Sequence, residues 1–433
     1  MPKLLFLAYA FPPSPAIGAV RAWSMAKYLA RLGWDITVVT PRPGAGFSAE
    51  ALSRVDQDCR QEGIARLFAG RQVWLNPNAT LSGQPGIWLR QLPRRLLGRL
   101  WRALGIGVDE VWTGACYRRL ARIKPGSVDL VLATGSPFSS FVVARWFARK
   151  LGVPYVLDYR DPWSLNTLGS RPWPRSMRRL DQAILRDAAH TLMVSPSQAA
   201  AQAQAFGMVK PPLVITNGYD PEQLAGVTAR PFDHFALVYA GSFYAGQREI
   251  DPVLLALKRV REMVPATCLP IRLHYYGASA GQVQAKSRHY GVEDLVACHG
   301  RVSREEALAA IKGSDITVVI AGIADTANQI ERGIVTGKLF EPLGLGIRIL
   351  LIAPAGNDAV PMVEESGAGK SFKASETDAM ADWLVECASQ QGYQGYSPPV
   401  NYAWMALAKT LDDCLTGCLL PDGRSGEKRF TTQ

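Results

Sequence analysis

Short apolar runs rich in β-branched residues alternate with stretches of helical period along this chain, and the alternation starts twice. The first series runs through Lys3 to Ala10, Asp35 to Thr40, Leu130 to Ala133, Tyr155 to Leu157, Thr191 to Val194 and Leu213 to Ile215. The second runs through Phe235 to Ala240, Ile271 to Tyr276, Asp294 to Ala297, Ile316 to Ile320 and Ile347 to Ile352. A strand, helix, strand rhythm of this kind predicts parallel sheets covered by helices on both faces, and a restart predicts two such domains. The length of 433 residues agrees, being too great for one ordinary core. Turn chemistry at Asn217-Gly218-Tyr219-Asp220-Pro221, followed by a polar stretch to Arg230-Pro231, marks the boundary. The reading is an N-terminal domain over residues 1–218, a C-terminal domain over 232–397, and a helical tail over 398–433 that returns to brace the first domain.

The net charge of +11 and pI near 9.4 favour an anionic partner, whether a phosphorylated small molecule, nucleic acid or an acidic membrane. Seven scattered cysteines read as free thiols in a reducing compartment. No apolar run is long enough to span a bilayer, and Leu4 to Ala10 reads as a first strand, not a signal peptide. The expected location is therefore the cytoplasm.

Ligands of doubly wound folds bind at the carboxyl ends of the strands, so two such domains suggest a cleft between their sheets. Candidate groups fall at those strand ends. Gly18 follows the first strand and opens a helix, where backbone N–H groups approach an anion, and Arg21 lies one turn on. Thr134-Gly135-Ser136-Pro137 reads as a helix start, with Ser136 as cap and Pro137 at the first position. Asp158-Tyr159-Arg160-Asp161-Pro162-Trp163 ends the next strand; Arg160 and Asp161 suit acceptor binding or proton transfer, while Asp158 and Arg160 can equally form an ion pair that shapes the turn. In the second half, Tyr239-Ala240-Gly241-Ser242 with Arg248 behind it repeats the logic of a phosphate site. Lys338 and Glu341 lie three apart in Gly337-Lys338-Leu339-Phe340-Glu341, which places a cation and a carboxylate on one helical face. Together they suit a diphosphate and a ribose diol; the structural alternative is a solvated pair.

Other features read as structural. Ser303 and Glu306 make a capping box, His274, His289 and His299 share no ligand spacing, and Asp56-Gln57-Asp58 is solvated surface and no metal site. Leu89, Leu92, Leu96, Leu97, Leu100, Trp101 and Leu104 line one side of a helix, with Arg95, Arg99 and Arg102 opposite. Such a helix lies in an anionic membrane interface or packs its stripe on the core. Nucleic acid is disfavoured, because the aromatics sit with the leucines and not among the arginines.

In order and spacing, Phe11-Pro12-Pro13 with Gly18 and Arg21, Thr134 to Pro137, Tyr159 to Trp163, Asn217 to Asp220, Tyr239 to Ser242 and Gly337 to Glu341 resemble glycosyltransferase family 4. These are retaining enzymes of the GT-B fold, in which two Rossmann-like domains face a central cleft. The resemblance implies that Lys338 and Arg248 neutralise the donor diphosphate, that Glu341 holds the ribose and that Gly18 approaches from the first domain. Gly18, Arg21, Ser136, Gly241, Ser242, Arg248, Lys338 and Glu341 are then donor-binding, and Asp161 and Arg160 catalytic. It implies a nucleotide-diphosphate sugar as co-substrate, no metal or other cofactor, and a lipid-linked or cell-surface acceptor at the inner face of the membrane. Many relatives carry a further glutamate eight residues before the ribose-binding one, and here that position is Gly333, with Glu331 out of register. That departure leaves a silent membrane-bound scaffold open, and an epimerase of nucleotide sugars is a second alternative because it can share the fold, although no convincing set of carboxylates or histidines to move a sugar-ring proton is seen.

Overall fold

The computed structural model describes residues 1–14, 16–44, 47–71, 110–166, 173–243, 248–263, 271–325, 327–390 and 395–420. The basic amphipathic segment Leu89 to Leu104 lies outside them. Two compact units result, one of residues 1–194, 202–215 and 408–433, the other of 195–201 and 216–407.

The first unit is built on seven parallel strands: β1 (Lys3–Leu7), β2 (Asp35–Arg42), β3 (Ile64–Arg71), β4 (Leu130–Thr134), β5 (Tyr155–Tyr159), β6 (His190–Met193) and β7 (Leu213–Val214). Their order is β3-β2-β1-β4-β5-β6-β7. Residues on both faces of β1, β4 and β5 are buried, as expected of a sheet covered on both sides. The last helix, Trp404–Leu419, belongs to this unit from Ala408 on, and its Asp412 accepts a 2.7 Å hydrogen bond from the indole of Trp34.

The second unit has six parallel strands: β8 (Phe235–Ala240), β9 (Ile271–Tyr276), β10 (Val296–Gly300), β11 (Ile316–Ile320), β12 (Arg348–Ile352) and β13 (Gly369–Phe372). They are ordered β10-β9-β8-β11-β12-β13. Counted from the start of each unit, both sheets share the Rossmann order 3-2-1-4-5-6, which reverses beside the first strand and opens a crevice there.

Three expectations shift. The edge strands β3 and β13 were not foreseen, and β10 begins two residues later than the apolar run, because Glu293–Leu295 forms a 3₁₀ turn. The helix after β4 begins at Ser139, not Pro137; its N-cap residue is Phe138, which has no side chain to cap with.

Candidate functional site

The second unit holds a cavity of about 410 Å³ at the carboxyl ends of β8, β9 and β10. Gly241, Ser242, Lys338 and Glu341 line it, together with Tyr276, Gly277, Arg301 and Arg304. Four of the residues singled out from the sequence therefore meet in one place.

Lys338 stands on the 3₁₀ turn Gly337–Leu339, and Glu341 lies in the first turn of the helix Phe340–Leu345 that follows. The Lys338 ammonium donates to the Tyr239 hydroxyl at 3.2 Å and to the Ser242 carbonyl at 3.1 Å, and sits 4.9 Å from the centre of the Tyr239 ring. Gly241 is what admits it. A Cβ there would fall 2.1 Å from the ammonium nitrogen, and the backbone φ of +142° is itself unsuited to a side chain. Burial, assisted by the positive charge of Arg248, pushes Lys338 down to about 8. Arg248 does not line the cavity; it donates to the Ala321 carbonyl at 3.2 Å and acts on the site through its charge. A largely buried lysine under the influence of a second cation is electrostatically suited to an anion.

Glu341 presents its carboxylate to the same cavity. Its Oε1 accepts from Arg304 Nε at 3.1 Å and from Arg304 Nη2 at 2.5 Å. At Gly333, where relatives carry a glutamate, a Cβ would fall 2.5 Å from Cγ of Gln198 and 2.6 Å from Oγ of Ser195. Packing thus requires the glycine. Glu331 offers no substitute, since its carboxylate closes a capping box on the backbone N–H of Asn328.

In the first unit the candidates divide. Arg21 is 2% exposed and Asp158 fully buried. The guanidinium donates to both carboxylate oxygens of Asp158, at 2.7 and 3.0 Å, and to the Ile215 carbonyl at 2.9 Å, while Thr134 donates to Asp158 at 2.8 Å. The expectation that Arg21 faces a donor therefore gives way to an interior clamp across β4, β5 and the chain beyond β7. It is Arg21, not Arg160, that pairs with Asp158.

The loop after β5 is pinned at both ends. The buried Tyr159 hydroxyl donates to Asp181 at 2.5 Å, and Trp163 stacks on Phe138 with ring centres 5.3 Å apart. Arg160 and Asp161 are left to project between them, 3.5 Å apart, with the Asp161 side chain 55% exposed. The Arg160 guanidinium lies against Gly18 so closely that a Cβ on Gly18 would fall 1.6 Å from it. Gly18 is in the first turn of the helix Ile17–Arg31, which has no acidic residue there and no side-chain cap. Two positive features thus coincide, a helix end and a guanidinium. Ser136 is exposed before the helix Ser139–Leu151 and does not cap it.

Sequence reasoning missed a histidine ladder. His234, just before β8, is 2.7 Å from His274 on β9 (Nε2 to Nε2), and His274 Nδ1 is 2.9 Å from His299 Nε2 on β10. A register shift between Cys298 and Gly300 marks His299 as a bulge residue, and its ring stacks 4.3 Å from Tyr276, a wall of the cavity. His234 Nδ1 also lies within hydrogen-bond distance of the Asp233 carboxylate, so the three rings and the carboxylate form one continuous chain of contacts. Burial foremost, then the neighbouring His299, His234, Arg230 and Arg272, pushes His274 down to about 4. Since an unfolded histidine titrates near 6.5, the unfolded chain binds the extra proton first, and stability should fall as pH drops from about 6.5 towards 4. Urea unfolding across that range should show a loss on the order of 2 kcal/mol, and His274→Phe should flatten it. An unchanged slope in the variant would refute the assignment.

Residues 18–223 match the family model described as Glycosyltransferase Family 4. A search of curated proteins by sequence finds no match. Among solved structures, the chain is similar to sucrose-phosphate synthase from Thermosynechococcus elongatus (TM-score 0.60, 15% identity, covering 96% of this chain and 99% of that one). It is similar to HepE from Anabaena in complex with UDP and glucose (TM-score 0.60, 13% identity, 96% and 100% covered). The lipopolysaccharide outer core galactosyltransferase WaaB in its apo form aligns with a TM-score of 0.51 at 13% identity, over 96% and 99%. These likenesses show the fold, two Rossmann-like units of the GT-B type, and the match to the Glycosyltransferase Family 4 model spans residues 18–223, a little under half of the chain.

Proposed function

We propose that the chain transfers a sugar from a nucleotide-diphosphate sugar to a lipid-linked or cell-surface polysaccharide acceptor, with retention of configuration and without a metal. The observation that carries the donor half is the cavity in which Lys338, lodged over Gly241, faces the same space as the Glu341 carboxylate. Lys338 and Arg248 supply the positive charge that a departing nucleoside diphosphate requires, in fixed positions and partly shielded from water. Glu341 accepts hydrogen bonds from the ribose diol. HepE, solved with UDP-glucose, supports a donor of this class. The acceptor reading is supported by WaaB, named for lipopolysaccharide outer core, and by the basic stripe from Leu89 to Leu104. No described helix is long and apolar enough to cross a membrane. The location that goes with this reading is the cytoplasm, peripherally at the inner face of the membrane, where the basic stripe from Leu89 to Leu104 would meet anionic lipid.

An epimerase of nucleotide sugars shares the fold, and one from Listeria monocytogenes aligns with a TM-score of 0.52 at 14% identity. The family match over residues 18–223 favours transfer. One assay separates the readings. Purified protein in excess chelator should move label from a nucleotide sugar into a lipid extract carried in anionic vesicles, with the anomeric configuration kept. Conversion of one nucleotide sugar into another without acceptor would favour the epimerase. Failure of every common nucleoside diphosphate to bind in calorimetry would leave the scaffold.

A further inference from the structure

Arg304, which the sequence did not single out, meets Glu341 inside the cavity. It is the first residue of the helix Arg304–Gly313, and the capping box between Ser303 and Glu306 closes from both sides, at 3.1 and 3.0 Å, to fix where that helix begins. A cation in the first turn opposes the helix dipole, so helix stability does not account for an arginine here. Nor does the ion pair, since both side chains are partly exposed and such pairs add little to stability.

The geometry is selective. Both guanidinium nitrogens converge on Oε1 of Glu341, and among the described residues Oε2 takes no hydrogen bond. A bidentate fork would have occupied both oxygens. This one ties the carboxylate through one oxygen and leaves the other, on a residue that lines the cavity, without a hydrogen bond among the described residues. We infer that Arg304 is a positioning residue for the donor: it holds Glu341 so that Oε2 meets the ribose diol, and thereby sets how strongly the pocket prefers a nucleotide that has one. The inference rests on reading this cavity as a nucleoside-diphosphate site. It adds that the preference for ribose resides in the pair and not in Glu341 alone. The gain is one of preorganisation, because a carboxylate already held in place loses less rotamer freedom when the ligand arrives.

The test is calorimetric binding of UDP, GDP, ADP and CDP to the full chain, followed by the 2′,3′-dideoxy counterpart of whichever binds best. Arg304→Gln should weaken the ribonucleotide about tenfold and leave the dideoxynucleotide within about twofold, collapsing the preference between them. Glu341→Gln should do the same, the double variant should lose little more than either single one, and Arg304→Lys should restore part of the preference. Equal weakening of both nucleotides would reduce Arg304 to general charge and overturn the inference. Tighter ribonucleotide binding in Arg304→Gln would also overturn it, by showing that the arginine competes with the ligand for Glu341. If the unaltered chain binds none of the four nucleotides, the reading of the cavity fails instead.

Discussion

Replacing Lys338 with alanine is expected to lower kcat/KM for a nucleotide sugar by roughly 10²- to 10³-fold, the usual cost of removing one fixed donor aimed at developing negative charge. The loss should be accompanied by weaker binding of the free nucleoside diphosphate, because the ammonium faces the anion before and after transfer. The shifted titration provides an independent check. Lys338 is pushed down to about 8 by burial and by Arg248, whereas a lysine beside a diphosphate is held in its charged form. Above about pH 8, therefore, binding should take up a proton, and calorimetric enthalpies should depend on the ionisation heat of the buffer. At pH 7 the dependence should be small, and in Lys338→Ala it should vanish. A wild-type enthalpy independent of buffer at pH 8.5, or turnover retained in the alanine variant, would remove Lys338 from the site.

The second large effect concerns stability. Asp158→Ala leaves the Arg21 guanidinium buried without its carboxylate, and breaking such a pair costs about 3–5 kcal/mol. That is a large part of the stability of an ordinary domain. Chemical denaturation should show the transition of the first unit moving to lower denaturant. The double change Arg21→Met with Asp158→Leu should recover much of the loss, since two apolar groups leave no unpaired charge behind. If Asp158→Ala keeps its stability but no longer binds the donor nucleotide, the pair belongs to the ligand site after all.

The sequence showed most clearly what repeats along a line. The central strands were readable because both their faces are buried, which makes them nearly continuous apolar runs. Of the four edge strands, β7 and β10 were expected and β3 and β13 were not, since arginine, lysine and serine interrupt the apolar run in Ile64–Arg71 and Gly369–Phe372, as an edge tolerates. Gly241, Lys338 and Glu341 could be anticipated because a strand end and a short helical turn place them by local geometry. Arg21 was misread for a tertiary reason: its partner Asp158 is 137 positions away, and nothing near the arginine signals burial. The histidine ladder was hidden in the same way. Its three rings come from segments that become neighbours only when β8, β9 and β10 pair, and one ring is turned by a register shift that no periodicity reveals. Arg304 left a faint trace, a cation where a helix start prefers an acid, and that trace gains meaning only once Glu341 is beside it.

The course of the backbone also bears on how the molecule is made. Residues 408–419 complete the unit that residues 1–194 begin, and Trp34 has its indole partner in Asp412. During synthesis the earliest sheet must therefore wait, with the groove for its final helix uncovered, while nearly all of the second unit leaves the ribosome. Domains ordinarily fold in the order in which they emerge. Here the one that starts first can finish only last, so a stop codon just before residue 408 would damage the amino-terminal unit and spare most of the one synthesised after it.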